Sequence, residues 1–112
     1  MNKFTARGLV ETAYAESSRI AIIVGGSVAE ANDAIDQAVA DLGLPAANVM
    51  RAAGLIRIIF DKGGSVVIRR SSPASLRGMN VDVVYFDHMP SGDEERAARM
   101  ATMVSRGEVI SQ

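Results

Sequence analysis

Ile20-Ala21-Ile22-Ile23-Val24-Gly25-Gly26-Ser27 is the stretch that decides the fold class. Its first five residues are all apolar and four of them are β-branched, which suits a strand buried on both faces, the signature of a parallel sheet. Gly25-Gly26 stops the strand. Ser27 then stands three positions before Glu30, the spacing at which a hydroxyl and a carboxylate each satisfy an orphan backbone N–H at a helix start. Val28, Ala31, Ile35, Ala38, Val39 and Leu42 follow at spacings of three and four, while Asp33, Asp36, Gln37 and Asp41 lie off that stripe. A helix over 28–42 is therefore predicted, closed by Gly43.

Working outward, residues 44–53 read as a small-residue connector from which Val49 and Met50 dip toward the core. Leu55–Phe60 and Ser65–Arg70 then flank Asp61-Lys62-Gly63-Gly64, whose glycines permit the positive φ of a tight antiparallel hairpin. Ser71–Gly78, with a proline and three serines, predicts an irregular loop or one helical turn. Val81–Asp87 reads as a further strand with an acid at its carboxyl end, where α/β sheets place ligand groups. Ser91 and Glu94 repeat the capping-box spacing, and Ala97, Met100, Ala101 and Val104 form the expected buried stripe of a helix ending near Gly107. Phe4–Ala15 is a candidate amphipathic helix through Leu9, Val10 and Ala13, and Val109–Gln112 reads as either an edge strand or a frayed tail.

Composition narrows the functional classes. With 112 residues, 48% of them hydrophobic, the chain has the size and core of one domain, which excludes a two-domain enzyme. No apolar run approaches the roughly 20 residues of a membrane span, and Glu11 and Glu16 interrupt any signal-peptide core, so the expected location is the cytoplasm. Twelve basic against thirteen acidic residues leave a net charge of −1, so attraction to nucleic acid must be local. No cysteine and a single histidine remove thiolate chemistry and the common zinc sites, and no metal or cofactor is expected.

The hairpin around Gly63-Gly64-Ser65, the loop Ser75-Leu76-Arg77-Gly78 and the strand Asp82-Val83-Val84-Tyr85-Phe86-Asp87 stand in one order. Together they resemble the central part of the ATPase domain of phage terminase large subunits and of related RecA-type ATPases. The resemblance covers 19–88 and is sharpest over 56–88. It implies an α/β fold, RecA-like or Rossmann-like, with two or three layers. The sheet would be mostly parallel with one β-hairpin and flanked by two or three helices. Residues 1–112 would then form a single truncated domain, with a helix within 1–18. In the resemblance Asp87 takes the place of the Walker B acid that holds Mg²⁺ through water, and Ile20–Leu42 matches the strand and helix after the P-loop helix. Two departures stand out: no G-x-x-x-x-G-K-[ST] is present, and His88 occupies the position of the glutamate expected after the Walker B acid.

Each candidate residue has two readings. Gly25, Gly26 and Ser27 at a helix start can hold an anion, or they form an ordinary β–α turn. Asp87 and His88 can be a metal-binding or acid/base pair, or they cap and pair within the fold. Arg69, Arg70 and Arg77 can form a phosphate-binding patch, with Arg57 adding to it, or a salt-bridged surface. Arg96, Arg99 and Arg106 alternate with Asp93, Glu94 and Glu95, as on a solvated helix face, and Met79, Met89, Met100 and Met103 are core fillers or an adaptable contact surface. The favoured function is a non-catalytic, phage-type protein that binds a host protein or itself as a homo-oligomer. The alternatives are a degenerate Mg-dependent nucleoside triphosphatase and a nucleic-acid-binding accessory protein, the latter not favoured.

Overall fold

A computed structural model describes residues 1–45, 48–52 and 54–111. Nine elements follow one another: α1 (Lys3–Ala15), β1 (Arg19–Val24), α2 (Val28–Asp41), β2 (Asn48–Ala52), β3 (Leu55–Ile59), β4 (Ser65–Arg70), β5 (Val83–Asp87), α3 (Gly92–Thr102) and β6 (Glu108–Ser111). The strands form one sheet in the order β2-β3-β4-β1-β5-β6. β1 runs parallel to both β4 and β5, and β5 parallel to β6; β2, β3 and β4 are joined antiparallel. The expected mixed α/β fold with a mostly parallel centre and a hairpin is present. Its strand count is larger than the sequence reading, because the two outermost strands carry weak patterns.

The period-two geometry of β1 divides the core. Ile20, Ile22 and Val24 join α1 and α2 residues such as Val10 and Ile35 in one buried cluster, whereas Ala21 and Ile23 join Phe86, Leu76 and the α3 residues Ala98 and Ala101 in a second. α2 starts at the expected place, with Ser27 as its N-cap, and Gly43 takes the left-handed φ of +64° after its end. α1 buries Ala6, Leu9, Val10 and Ala13, and its N-cap Asn2 accepts a hydrogen bond from the Thr5 N–H. The hairpin closes by a 2.8 Å bond from the Phe60 N–H to the Gly64 carbonyl, with Gly63 at a φ of +90°.

Three expectations need correction. Val49 and Met50 do not dip into the core: they lie on edge strand β2 and are 46% and 55% exposed. The open backbone edge of β3 recruits this segment, and pairing of N–H and C=O groups there outweighs any gain from turning those side chains inward. Ala46, Ala47 and Ala53 of the same stretch lie outside the described residues. The buried stripe of α3 is also rotated: Ala98, Ala101 and Thr102 face the sheet, while Met100 and Val104 are exposed. Small residues let this helix approach closely, and the Thr102 hydroxyl is satisfied by donating to the Ala98 carbonyl at 2.9 Å. Finally, the helix ends at Thr102 rather than near Gly107. Turns follow, and Gly107 presses so close to Asp82 that an added Cβ would lie 1.8 Å from its carbonyl oxygen. Of the two readings of the tail, residues 108–111 form edge strand β6. Among the described residues no helix is long and apolar enough to cross a membrane.

Candidate functional site

β1, β4 and β5 are parallel neighbours and end together, with Val24 in register with both Arg70 and Asp87. This gathers Gly25-Gly26-Ser27, Ser71 and Asp87-His88 at one edge, the place where open α/β sheets form a crevice. The Ser71 N–H donates to the Val24 carbonyl at 2.7 Å and fixes the loop to the strand end.

Glu94 is the hub of this edge. As the third residue of α3 it completes a capping box with Ser91, receiving the Ser91 N–H at 3.1 Å while the Ser91 hydroxyl receives the Glu94 N–H at 3.1 Å. Its carboxylate also accepts the Ser71 hydroxyl at 2.7 Å and lies 3.1 Å from His88 Nε2. Burial alone would raise its pKa; the hydrogen bonds from Ser71, Ser91 and His88, with the His88 charge, outweigh that and hold it below the ordinary carboxylate value. Ser71 and His88 both turn to the same carboxylate, so they form no serine–histidine relay of the kind that activates a nucleophile.

His88 is held on two further sides. Its ring meets Phe86 edge-to-face at 5.7 Å, and a Cβ added to Gly25 would sit 3.0 Å from the His88 Cβ, so glycine is what lets the two strand ends close together. Asp87 lies beside it, with Oδ2 3.3 Å from the buried α-amino group of Met1. Asp87 Oδ1 and His88 Nδ1 are buried and have no hydrogen-bond partner among the described residues. Beneath Asp87, the Tyr85 hydroxyl has its pKa raised, first by burial and then by the Asp87 charge, with a hydrogen bond to Thr5 opposing both.

Ser27 Oγ accepts the Glu30 N–H at 3.3 Å and is engaged as a helix cap, while Gly26 borders open space. Arg69 donates to the Ser75 carbonyl at 2.8 Å and pins the 71–78 loop. Arg70, one residue on, belongs to the opposite face of the strand, and Arg77 is exposed on the loop. Lys62 stacks over Tyr14 at the hairpin turn, at the opposite end of the sheet from Asp87, and Lys3 lies over the exposed Phe4 ring. Among the described residues no three acidic, histidine or cysteine side chains gather as a metal site. The sequence reading did not single out Ser71. Glu94 reads in the sequence as a cap and as part of a solvated helix face, since its bond to His88 depends on how α3 docks.

No protein-family model and no curated protein sequence matches the chain. In three dimensions it is similar to the large terminase of a thermophilic bacteriophage, with TM-scores of 0.55 and 0.54 against two crystal forms of that protein. The match covers 84% of this chain at 14% identity, and the chain spans about a quarter of the terminase's length, 25% and 24% in the two forms. The likeness is one of fold, and it agrees with the terminase-like ATPase core read from the hairpin, loop and Asp87 strand.

Proposed function

We propose that this chain is a non-catalytic, phage-type protein built on a terminase-like ATPase core, acting in the cytoplasm by protein–protein contact or self-assembly. One observation carries the reading: at the strand ends the Ser71 hydroxyl and the His88 imidazole are both tied to the Glu94 carboxylate, while large apolar side chains stand free on the surface. A triphosphate's β- and γ-phosphates need a cationic cradle, and among the described residues Asp87 is ion-paired with the Met1 α-amino group rather than with a lysine. Helices packed on opposite faces of the sheet support a three-layer, RecA-like description of the core. Titration calorimetry with ATP and Mg²⁺ tests the proposal. No heat and no hydrolysis are expected, with Asp87→Ala behaving as wild type; micromolar binding lost in Asp87→Ala would overturn it.

A second reading, a degenerate Mg-dependent nucleotide-binding protein, draws support from Asp87 Oδ1, a buried acceptor with no partner among the described residues. The same titration separates the two. A nucleic-acid role has weaker support because Arg69, Arg70 and Arg77 are dispersed, and no salt-sensitive gel shift is expected.

A further inference from the structure

We propose that the sheet face beside the turn over 78–81 is a docking groove for an acidic segment of a partner protein, held by Arg19 and Arg57. The inference rests on the protein-contact reading above and names the surface and the chemistry of its partner. α3 packs on β5 and β6, and the same face of β2 and β3 has no helix over it among the described residues. There the pairing register sets Met50, Arg57 and Val67 side by side, with Asn48, Ile59 and Ser65 in the next row. A groove of about 390 Å³ runs between this surface and the turn over 78–81. Ile59, Val67, Met79 and Val81 give it an aliphatic lining, and Arg19 and Arg57 give it charge.

That charge has one sign. Asn48, Met50 and Ala52 of β2, Leu55, Arg57 and Ile59 of β3, and Ser65, Val67 and Arg69 of β4 share this face, and none is acidic. Exposed Arg57 lies between Met50 and Val67 and has no ion-pair partner among the described residues. Arg19 meets Asp82 Oδ2 through Nε at 3.5 Å, which leaves its two terminal nitrogens without a partner among the described residues. A guanidinium with free terminal nitrogens suits a carboxylate. β4 separates the strands that carry the two arginines, and they pair with it two residues apart, at Ser65 and Val67. Their Cα atoms therefore stand about 12 Å from each other. In an extended chain, residues i and i+4 lie on one side about 13 Å apart, with i+2 between them. Acids at the two outer positions would each meet one arginine, and an aliphatic residue between them would cover Val67. A protein segment fits better than single-stranded nucleic acid, because no aromatic ring lines the groove to stack a base.

Amide NMR titration of the whole chain tests this with a capped pentapeptide that has glutamate at both ends, valine at the centre and serines between. A Kd of about 0.1–1 mM is expected, with the perturbed amides concentrated around Arg57, Ser65, Val67 and Asn80. Arg57→Glu should weaken binding at least about tenfold. Arg51→Glu changes the net charge equally, but Arg51 pairs with Ile56 on the opposite face of the sheet, and it should bind as wild type. Both variants should keep the wild-type amide spectrum away from the substituted residue, and a peptide with glutamine for glutamate should not bind. An acidic peptide that does not bind, binding that survives Arg57→Glu, an equal loss in Arg51→Glu, or equal binding of the glutamine peptide overturns the inference. So does an oligothymidine that binds more tightly than the peptide and is released by Arg57→Glu, which would assign the groove to nucleic acid. ATP binding that is lost in Asp87→Ala would overturn the non-catalytic reading and leave the peptide titration unaffected.

Discussion

The two faces of the sheet are finished differently. On one, α1 and α2 cover Ile20, Ile22, Val66 and Ile68, and Ile35 of α2 is completely buried. On the other, a single helix, α3, and Leu76 of the 71–78 turns cover Ala21, Ile23 and Phe86, and the outer side of α3 presents methionines to solvent. The first face is a core in the ordinary sense, where apolar area removed from water is the stabilising term. The second closes its inner side and leaves a matching apolar strip outside, which is the pattern of a contact surface.

The largest effect should separate these directly. Ile35→Ala removes a fully buried side chain and should cost about 2–5 kcal/mol, whereas Met100→Ala should stay within about 0.5 kcal/mol, both read from urea denaturation at low protein concentration. A Met100 variant as costly as the Ile35 variant would erase the distinction. Close approach of α1 to the hairpin gives the next test. A Cβ at Gly64 would lie 1.8 Å from the Ala13 carbonyl oxygen, so Gly64→Ala should cost about 1–3 kcal/mol. Gly26, where an added Cβ meets nothing within 4 Å, should tolerate alanine with little change in melting temperature.

The edge where both faces meet is probed by pH. Glu94 has a lower pKa folded than unfolded, so its contribution is full above the unfolded value of about 4.3 and is lost as pH falls through the folded one. Wild type should exceed Glu94→Gln by about 1–2 kcal/mol at neutral pH, and the gap should shrink in acid. A gap that stays constant from neutral pH down to about pH 3 would remove the charged carboxylate from the account.

Central elements were legible in the sequence because their signals are local. Ile20–Val24 is apolar at every position, α2 carries its stripe, cap and Gly43, and the hairpin has its glycines. β2 and β6 were harder to read, because exposed edge strands carry no buried period: all five residues of β2 and all four of β6 are exposed. The rotation of α3 was hidden for a related reason. Met100 and Val104 satisfy the helical spacing of a core stripe as well as Ala98 and Ala101 do, and only docking against Ile23 and Phe86 chooses between them. Asp87 and His88 could be singled out from their place after a buried strand, whereas Ser71 and Glu94 join them only through contacts across 23 and 6 positions of chain.

The two helix starts sharpen the comparison on the smallest scale. Both α2 and α3 open with serine three residues before glutamate, yet only α3 has the reciprocal box, because Glu94 is held in place by Ser71 and His88 while Glu30 is exposed at its helix start. Ser27→Ala removes one 3.3 Å hydrogen bond from an exposed turn. Ser91→Ala removes a 3.1 Å bond and loosens a carboxylate that three other groups depend on. Each loss should cost about 1 kcal/mol, with Ser91 the larger by a few tenths. In the Glu94→Gln background that excess should vanish, since the carboxylate that transmits it is gone. Thermal melts of the two single variants and of each combined with Glu94→Gln measure this coupling, and an excess that persists without the carboxylate would show that the two caps differ for some reason other than the Ser71–Glu94–His88 tie.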